Sequence, residues 1–260
     1  MQRILLSILA GLALFAASAF ADQKIKVGIS SGDAEILWTK VKEIAAKDGL
    51  DVSVVVFNDY LLPDVALDSG DLDTNAFQHR PFLDNQIKTR GYKIVPVGTT
   101  IIAPIGLYSK KVESVDEIRQ GAAIGIPNDP SNGGRALLLL QVQKLIKVKE
   151  GVGLLPTLLD MVDNPRKLQF REIDAAQLPR SLGDLDVAVV DTNYAVPAGL
   201  IPSKDSIAIE SPADDPYSNF IAVRERDKDA PRVPTLVRAF QSETIRQLIK
   251  DRLPGQIPAF

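Results

Sequence analysis

Short apolar runs and helical spacings of apolar residues alternate along the chain. Residues 24–30 and 52–57 are runs typical of buried strands, and residues 34–47 between them carry apolar positions on one helical face. This β-α-β order predicts a parallel sheet with a right-handed crossover. A second β-α unit follows at residues 122–148. The pattern therefore predicts an α/β fold.

The remaining segments extend this pattern into two lobes. We predict further helices at residues 62–67, 84–90, 154–161, 174–182 and 235–250, and further strands at residues 73–77, 92–97, 168–173, 185–191 and 220–224. An extended apolar segment is broken by Pro104, where a second domain is expected to begin. If the chain returns near residue 218, lobe 1 comprises residues 22–103 and 218–260, and lobe 2 comprises residues 104–217. Two crossover strands would then join the lobes, with a ligand cleft between them.

The N-terminal residues have the features of a secretory signal peptide. Arg3 precedes the apolar run of residues 4–15, and Ala19 and Ala21 are small residues at the positions that a signal peptidase reads. We predict a signal peptide at residues 1–21 and an exported mature protein. An uncleaved membrane anchor is the alternative.

The composition narrows the classes of function. A net charge of −3 makes the protein a poor candidate for binding nucleic acid or an anionic membrane. The sequence contains no cysteine, which excludes disulfides, thiolate metal sites, cysteine nucleophiles and a lipid-modified N-terminal cysteine. The composition thus predicts an exported protein without a lipid anchor.

A glycine-containing helix start is the most distinctive segment, with the sequence IPNDPSNGGRALLLL at residues 126–140. Gly133 and Gly134 permit close approach to the backbone, and the first helical turn offers unpaired N–H groups and the positive end of the helix dipole. Arg135 adds a guanidinium at the same end. These features predict a site for a carboxylate- or phosphate-sized anion. The alternative is an ordinary helix start with a surface arginine.

Polar residues after predicted strands are further candidates. His79 is the only histidine and lies between Phe77 and Phe82 after one such strand, and Asn193 follows another. Open α/β sheets bind ligands at the carboxyl ends of their strands, so both side chains are candidate ligand contacts. The alternatives are a packed structural histidine and an asparagine that caps a helix.

The sequence offers little support for catalysis. His79 is available as a base, but no serine lies in a G-x-S-x-G pattern, and a single histidine leaves no metal-ligand spacing. We predict no catalytic residue, no metal site and no cofactor. A hydrolase or lyase on a two-lobed scaffold is the alternative class of function, and a periplasmic chaperone or adhesin is a third.

Four long segments resemble the NlpA-type family of methionine-binding proteins, which capture substrate for bacterial methionine uptake ABC transporters. They are DTNAFQHRPFL (73–83), IPNDPSNGGRALLLL (126–140), NPRKLQFREIDAAQLPRSL (164–182) and DPYSNFIAVR (215–224). The resemblance covers nearly the whole mature chain. It implies a type II periplasmic-binding-protein fold that closes around a free amino acid. It also implies a monomer that delivers its ligand to a permease in the inner membrane.

The resemblance further implies which residues contact the ligand. Arg135 would clamp the α-carboxylate, while Asn193 and Asn219 would hydrogen-bond to the ammonium and carboxylate groups. The side-chain pocket would be formed by Tyr60, Phe77, His79 and Phe82. The chain departs from the family in lacking a cysteine after the signal peptide, so we expect a free periplasmic protein, with a misassigned start of the sequence as the alternative. It also departs in having Phe82 where tyrosine is frequent. The implied ligand is L-methionine and also D-methionine, with a methionine-containing dipeptide or another amino acid as alternatives.

Overall fold

The computed structural model describes residues 23–212 and 216–260, so the predicted signal peptide lies outside the described residues. The strands are β1 (Gln23–Ser30), β2 (Leu50–Phe57), β3 (Thr74–Ala76), β4 (Ile94–Thr99), β5 (Ile101–Ile102), β6 (Gly106–Tyr108), β7 (Ala123–Pro127), β8 (Lys147–Val148), β9 (Met161–Asp163), β10 (Gln169–Ile173), β11 (Val187–Val190), β12 (Ser206–Ile209), β13 (Phe220–Arg224) and β14 (Ile257–Pro258). The α-helices are α1 (Asp33–Lys47), α2 (Leu62–Ser69), α3 (Arg80–Arg90), α4 (Pro130–Val142), α5 (Leu178–Ser181), α6 (Thr192–Ala195), α7 (Pro202–Asp205), α8 (Arg232–Phe240) and α9 (Glu243–Arg252).

Two sheets with the same topology organise the described part of the chain. The first has the strand order β2-β1-β3-β13-β4, and the second has the order β10-β7-β11-β6-β12. In each sheet the first three strands in this order are parallel to one another. The fourth strand, which is β13 in the first sheet and β6 in the second, runs antiparallel to both its neighbours. The sheets have separate hydrophobic cores. This confirms two α/β lobes in the type II periplasmic-binding-protein arrangement.

The chain passes between the lobes twice. It leaves the first sheet after β4 and enters the second at β6, then returns between β12 and β13. The first crossing includes β5, which pairs with β14 near the C-terminus. Since β13 lies in the first sheet, lobe 1 is built from both ends of the described chain. The boundaries at residues 104 and 218 themselves stay a prediction.

Lobe 1 is closed by the C-terminal helices, which pack against α1. The rings of Trp38 on α1 and Phe240 on α8 lie 5.4 Å apart, and both side chains are buried. The prediction of one helix at residues 235–250 is wrong, because the helical chain ends at Phe240 and restarts after Ser242. The hydroxyl of Ser242 caps α9 by accepting from the N–H of Ile245 at 3.4 Å. Within residues 23–212 and 216–260, no helix is long and apolar enough to cross a membrane.

Two other predicted helices differ from those observed. Helix α3 begins at Arg80 rather than residue 84, because the side chain of His79 caps it. The predicted helix at 154–161 is wrong: only a 3₁₀ turn forms at Leu158–Asp160, and strand β9 follows directly. A short apolar run does not by itself distinguish a helix from a strand. In this segment, residues 161–163 form strand β9, which pairs with β8.

Candidate functional site

A cavity lies between the two lobes, and its lining contains all the residues proposed from the sequence. Lobe 1 and the crossing segments contribute a mainly aromatic wall, whereas lobe 2 contributes a polar wall. The lining residues are Tyr60, Phe77, Gln78, His79, Phe82, Ala103, Asn132, Arg135, Asp191, Thr192, Asn193 and Asn219. The fold therefore brings the candidates together, and their roles in binding stay predictions.

The start of α4 is capped by its own chain. The carboxylate of Asp129 accepts from the backbone N–H groups of Ser131 at 3.1 Å and Asn132 at 2.9 Å. The N–H of Gly133 donates to the carbonyl of Asp129 at 2.8 Å. The expectation that these first-turn N–H groups bind an anion is therefore wrong, because a side-chain carboxylate already occupies that position.

The two glycines of α4 serve packing rather than ligand approach. A Cβ atom on Gly133 would lie 2.8 Å from the carbonyl oxygen of Pro127, and one on Gly134 would lie 3.0 Å from that of Leu154. Both distances are shorter than ordinary contacts, and backbone atoms have little freedom to move away. The predicted close approach exists, but the chain's own backbone makes it.

Arg135 is buried beneath the cavity and is held by lobe 2. Its Nε donates to both carboxylate oxygens of Glu210 at 3.0 Å, and its Nη2 donates to Glu210 and, at 3.0 Å, to the carbonyl of Ala103. Its Cζ lies 4.3 Å from the ring centre of Tyr217. The arginine is 3% exposed, so the alternative of a surface arginine is wrong. These contacts orient the guanidinium while it lines the cavity.

Sequence reasoning missed Glu210. It follows β12, distant in sequence from α4, and two hydrogen bonds join it to Ile105. The Glu210 N–H donates to the Ile105 carbonyl at 3.0 Å. The Ile105 N–H in turn donates to the Glu210 carboxylate at 3.3 Å. No local pattern marks such a residue, because only the pairing of β12 with β6 brings it to Arg135.

Hydrogen bonds join the lobes directly across the cavity. The hydroxyl of Tyr60 in lobe 1 donates to Oδ1 of Asn193 in lobe 2 at 2.6 Å. His79 in lobe 1 and Asn132 in lobe 2 are joined by a 3.1 Å bond between Nε2 and Oδ1. The structure therefore has its lobes closed over the cavity.

His79 serves both as a structural residue and as a cavity residue. Its Nδ1 accepts from the backbone N–H of Phe82 at 3.3 Å, which caps α3 and leaves the ring hydrogen on Nε2. Nε2 then donates to Asn132. Burial, reinforced by the charge of Arg135, lowers the pKa of His79 to about 3. The imidazole is therefore neutral near pH 7.

The aromatic wall is one packed cluster. The ring of Tyr60 lies 6.2 Å from that of Phe77 and 6.2 Å from that of Phe82, and the two phenylalanine rings are 5.7 Å apart. Burial raises the pKa of Tyr60, so its hydroxyl remains a neutral hydrogen-bond donor. An apolar wall opposite a guanidinium suits a small ligand that is apolar at one end and anionic at the other.

The polar wall contains unpaired hydrogen-bonding atoms. Asn193 lies within α6, whose N-cap is Asp191, so the alternative of Asn193 as the cap is wrong. Its Nδ2 is buried and has no hydrogen-bond partner among the residues that the structure describes, and the same holds for Oδ2 of Asp191.

Asn219 donates from Nδ2 to the carbonyl of Phe77 at 3.2 Å. Sequence reasoning missed Asp191, although it directly follows strand β11.

Two lobes that close over a small cavity with these walls define a bilobal binding protein for a small solute. The chain belongs to the NlpA lipoprotein family, which its residues 25–260 match. The D-methionine-binding lipoprotein MetQ of Escherichia coli (strain K12) is 53% identical over 225 residues, which cover 85% of this chain and 82% of that protein.

Solved structures agree with this assignment. A nutrient-binding protein from Burkholderia cenocepacia, bound to methionine, has a TM-score of 0.89 and 53% sequence identity, covering 91% of this chain and 100% of that chain. A crystal structure of the methionine-binding protein MetQ has a TM-score of 0.88 and 48% identity, covering 91% of this chain and 98% of that chain. The family and fold expected from the sequence are therefore confirmed.

Proposed function

We propose that this protein binds methionine in the cavity between its lobes and delivers it to the permease of an ABC transporter. The observation that carries the proposal is the arrangement of an aromatic wall opposite the buried guanidinium of Arg135 in one cavity between the lobes. The Burkholderia cenocepacia relative, which is bound to methionine, supports the choice of ligand.

Each wall of the cavity recognises one part of the ligand. Arg135 binds the α-carboxylate, and the unpaired Nδ2 of Asn193 donates a second hydrogen bond to it. Asn219, on the opposite side of the cleft, accepts from the ammonium group. The thioether packs on Tyr60, Phe77, His79 and Phe82. Sulfur–aromatic contacts contribute about 0.3–1.5 kcal/mol each, which favours a thioether in such a pocket.

Ligand binding and lobe closure are coupled in this proposal. Methionine contacts side chains of both lobes at once, so it binds the closed form more tightly than the open form and shifts the population towards closure. The bond between Tyr60 and Asn193 forms only when the lobes meet. The permease then receives a closed, loaded protein.

We place the protein in the periplasm as a monomer. Its relatives are named lipoproteins, whereas this sequence contains no cysteine for a lipid to modify. Those names give no support to an unanchored protein, so this part of the localisation stays a prediction.

The site favours binding over catalysis. Nδ1 of His79 is engaged by the cap of α3, its Nε2 faces an amide oxygen, and its lowered pKa makes it a weak base. Among residues 23–212 and 216–260, no three acidic, histidine or cysteine side chains are grouped to hold a metal. We therefore propose a transport component without enzymatic activity.

The test is to identify the ligand that copurifies with the protein and to measure its binding. Denaturation should release methionine, detected by mass spectrometry. Calorimetry on the emptied protein should show tight binding of L-methionine, with D-methionine and glycyl-methionine as comparison ligands. Another amino acid in the released fraction would change the ligand but keep the mechanism. No binding of any of the three would contradict the proposal.

We expect the affinity for methionine to fall as the pH drops from 7.5 to 5. The pKa of His79 is about 3 in the closed form, against an ordinary value of 6.5, so closure requires a neutral imidazole. The contribution of the neutral imidazole to closure is complete above about pH 6.5. Below that pH it is lost, and the affinity for methionine should fall by up to about 30-fold at pH 5. Calorimetry at both pH values measures this change.

The control is His79→Asn, which keeps a capping oxygen but does not titrate. Its affinity should change less over the same pH range, and the comparison removes the contribution of other acidic groups in the cavity. An equal pH dependence in both proteins would show that His79 is not responsible.

A further inference from the structure

Asp191 is a cavity residue with unused hydrogen-bonding capacity. It directly follows β11, occupies the N-cap position of α6 without a side-chain capping hydrogen bond, and lines the same cavity as Arg135. Its side chain is buried, and Oδ2 has no hydrogen-bond partner in the described part of the chain. The hydroxyl of Thr192 donates to the carbonyl of Pro104 at 2.5 Å, which holds the start of α6 in place. Asp191 is therefore a positioned carboxylate rather than a mobile surface group.

The charges around Asp191 leave it without a cation of its own. The nearby ionised groups are Asp129, Arg135 and Glu210, and the guanidinium of Arg135 is bonded to Glu210. The carboxylate of Asp129 is used by the N–H groups of α4. Burial raises the pKa of Asp191 to about 7, with both neighbouring carboxylates acting in the same direction and Arg135 opposing them. The hydroxyls of the nearby Tyr60, Tyr108 and Tyr194 supply no positive charge.

We infer that Asp191 is the counter-charge for the ligand's α-ammonium group. This inference rests on the proposed function and adds a residue that the sequence reasoning did not include. An amino acid would bind with its carboxylate at Arg135 and its ammonium at Asp191, with the acceptor oxygen of Asn219 as a second partner. Both buried charges of the ligand would then be compensated, as a low-dielectric site requires.

A counter-charge at Asp191 would affect both ligand specificity and lobe closure. In the empty closed cavity the carboxyl group of Asp191 is buried without a cation of its own, and a ligand without an ammonium group does not supply one. The protein should therefore discriminate against analogues that have the same thioether and carboxylate but no amine. Loss of the Asp191 charge should remove that discrimination.

The experiment compares two ligands on three proteins by calorimetry. The ligands are L-methionine and 4-(methylthio)butanoic acid, which is methionine without its amine. The proteins are the wild type, Asp191→Asn and Asp33→Asn. Wild type should prefer methionine by about 100-fold or more, and in Asp191→Asn the preference should fall below about 10-fold through weaker methionine binding. Asp33→Asn should behave as the wild type.

Asp33 is a matched control because it shares the physical properties of Asp191 but not its position. It is buried, burial raises its pKa to about 6, and its carboxylate accepts from Gln256 at 2.7 Å. It does not line the cavity that contains Arg135; it lines an adjoining cavity, which shares Asn193 and Asn219 with that one. Asp191→Glu provides a further test, since it keeps the charge and should retain a preference for methionine over the analogue.

The possible outcomes separate the inference from the proposed function. Equal weakening of both ligands in Asp191→Asn would assign Asp191 a structural role and overturn the inference, while methionine binding by the wild type would stand. An unchanged preference would also overturn it. If the wild type bound neither ligand, the proposed function itself would fail. Circular dichroism and thermal unfolding establish that each variant is folded.

Discussion

Arg135→Ala is expected to weaken methionine binding by about 30- to 5,000-fold, because truncating one partner of a buried charge pair costs about 2–5 kcal/mol. The ligand's carboxylate would enter a buried cavity without its guanidinium partner. The carboxylate of Glu210, which bonds Arg135 through Nε and Nη2, would face the same cavity and repel the ligand. Calorimetry with L-methionine measures the loss.

Two variants control for this effect. Arg135→Lys keeps the charge but loses the planar guanidinium, which donates to Glu210 and to the Ala103 carbonyl at the same time. The affinity of this variant for methionine should therefore lie between those of the wild type and Arg135→Ala. Arg119→Ala removes an exposed arginine that pairs with Asp186 at 3.1 Å on lobe 2, and it should leave affinity unchanged. Affinity of Arg135→Ala within threefold of wild type would exclude Arg135 from the site.

The same substitution separates binding from stability. Arg135→Ala leaves Glu210 without its cation, so the variant should also unfold at a lower temperature than the wild type. Adding Glu210→Gln removes the uncompensated charge and should recover much of the thermal stability. Binding should not recover, because the guanidinium is still absent. Recovery of both properties would show that Arg135 acts only through the fold.

Tyr60→Ala is expected to weaken methionine binding by about 100-fold, and Tyr60→Phe by only about 5- to 10-fold. The alanine variant loses the 2.6 Å bond to Asn193 across the cavity and the ring that packs on Phe77 and Phe82. The phenylalanine variant loses the bond alone. Calorimetry on the pair therefore separates lobe closure from packing of the aromatic wall.

Tyr92→Phe is a suitable control for the loss of a hydroxyl. Tyr92 packs against a hydrophobic cluster of lobe 1 and does not line the cavity. Its replacement should leave the affinity unchanged. If Tyr60→Ala bound methionine as tightly as the wild type, neither the cross-lobe bond nor the ring would contribute to recognition.

Local patterns in the sequence were sufficient for most elements and for part of the site. Apolar spacing predicted the β-α-β units, since burial of one face is a property of each segment. The rule that ligands bind at strand ends identified His79 and Asn193, and the glycine-containing helix start identified Arg135. Tyr60 and Asn219 came from the family resemblance alone. All of these line one cavity in the structure.

The sequence by itself determined the two-lobed order of the chain and the candidate residues, because both depend on short-range patterns and on resemblance. The tertiary structure decided the partners. Arg135 donates to Glu210, Tyr60 donates to Asn193, and Gly134 packs closely against the backbone at Leu154. The partners in each pair lie far apart in the sequence, so no local pattern predicts the contact. Side-chain pairing and unpaired buried atoms such as Oδ2 of Asp191 depend on how whole lobes pack, so they became visible only in the folded protein.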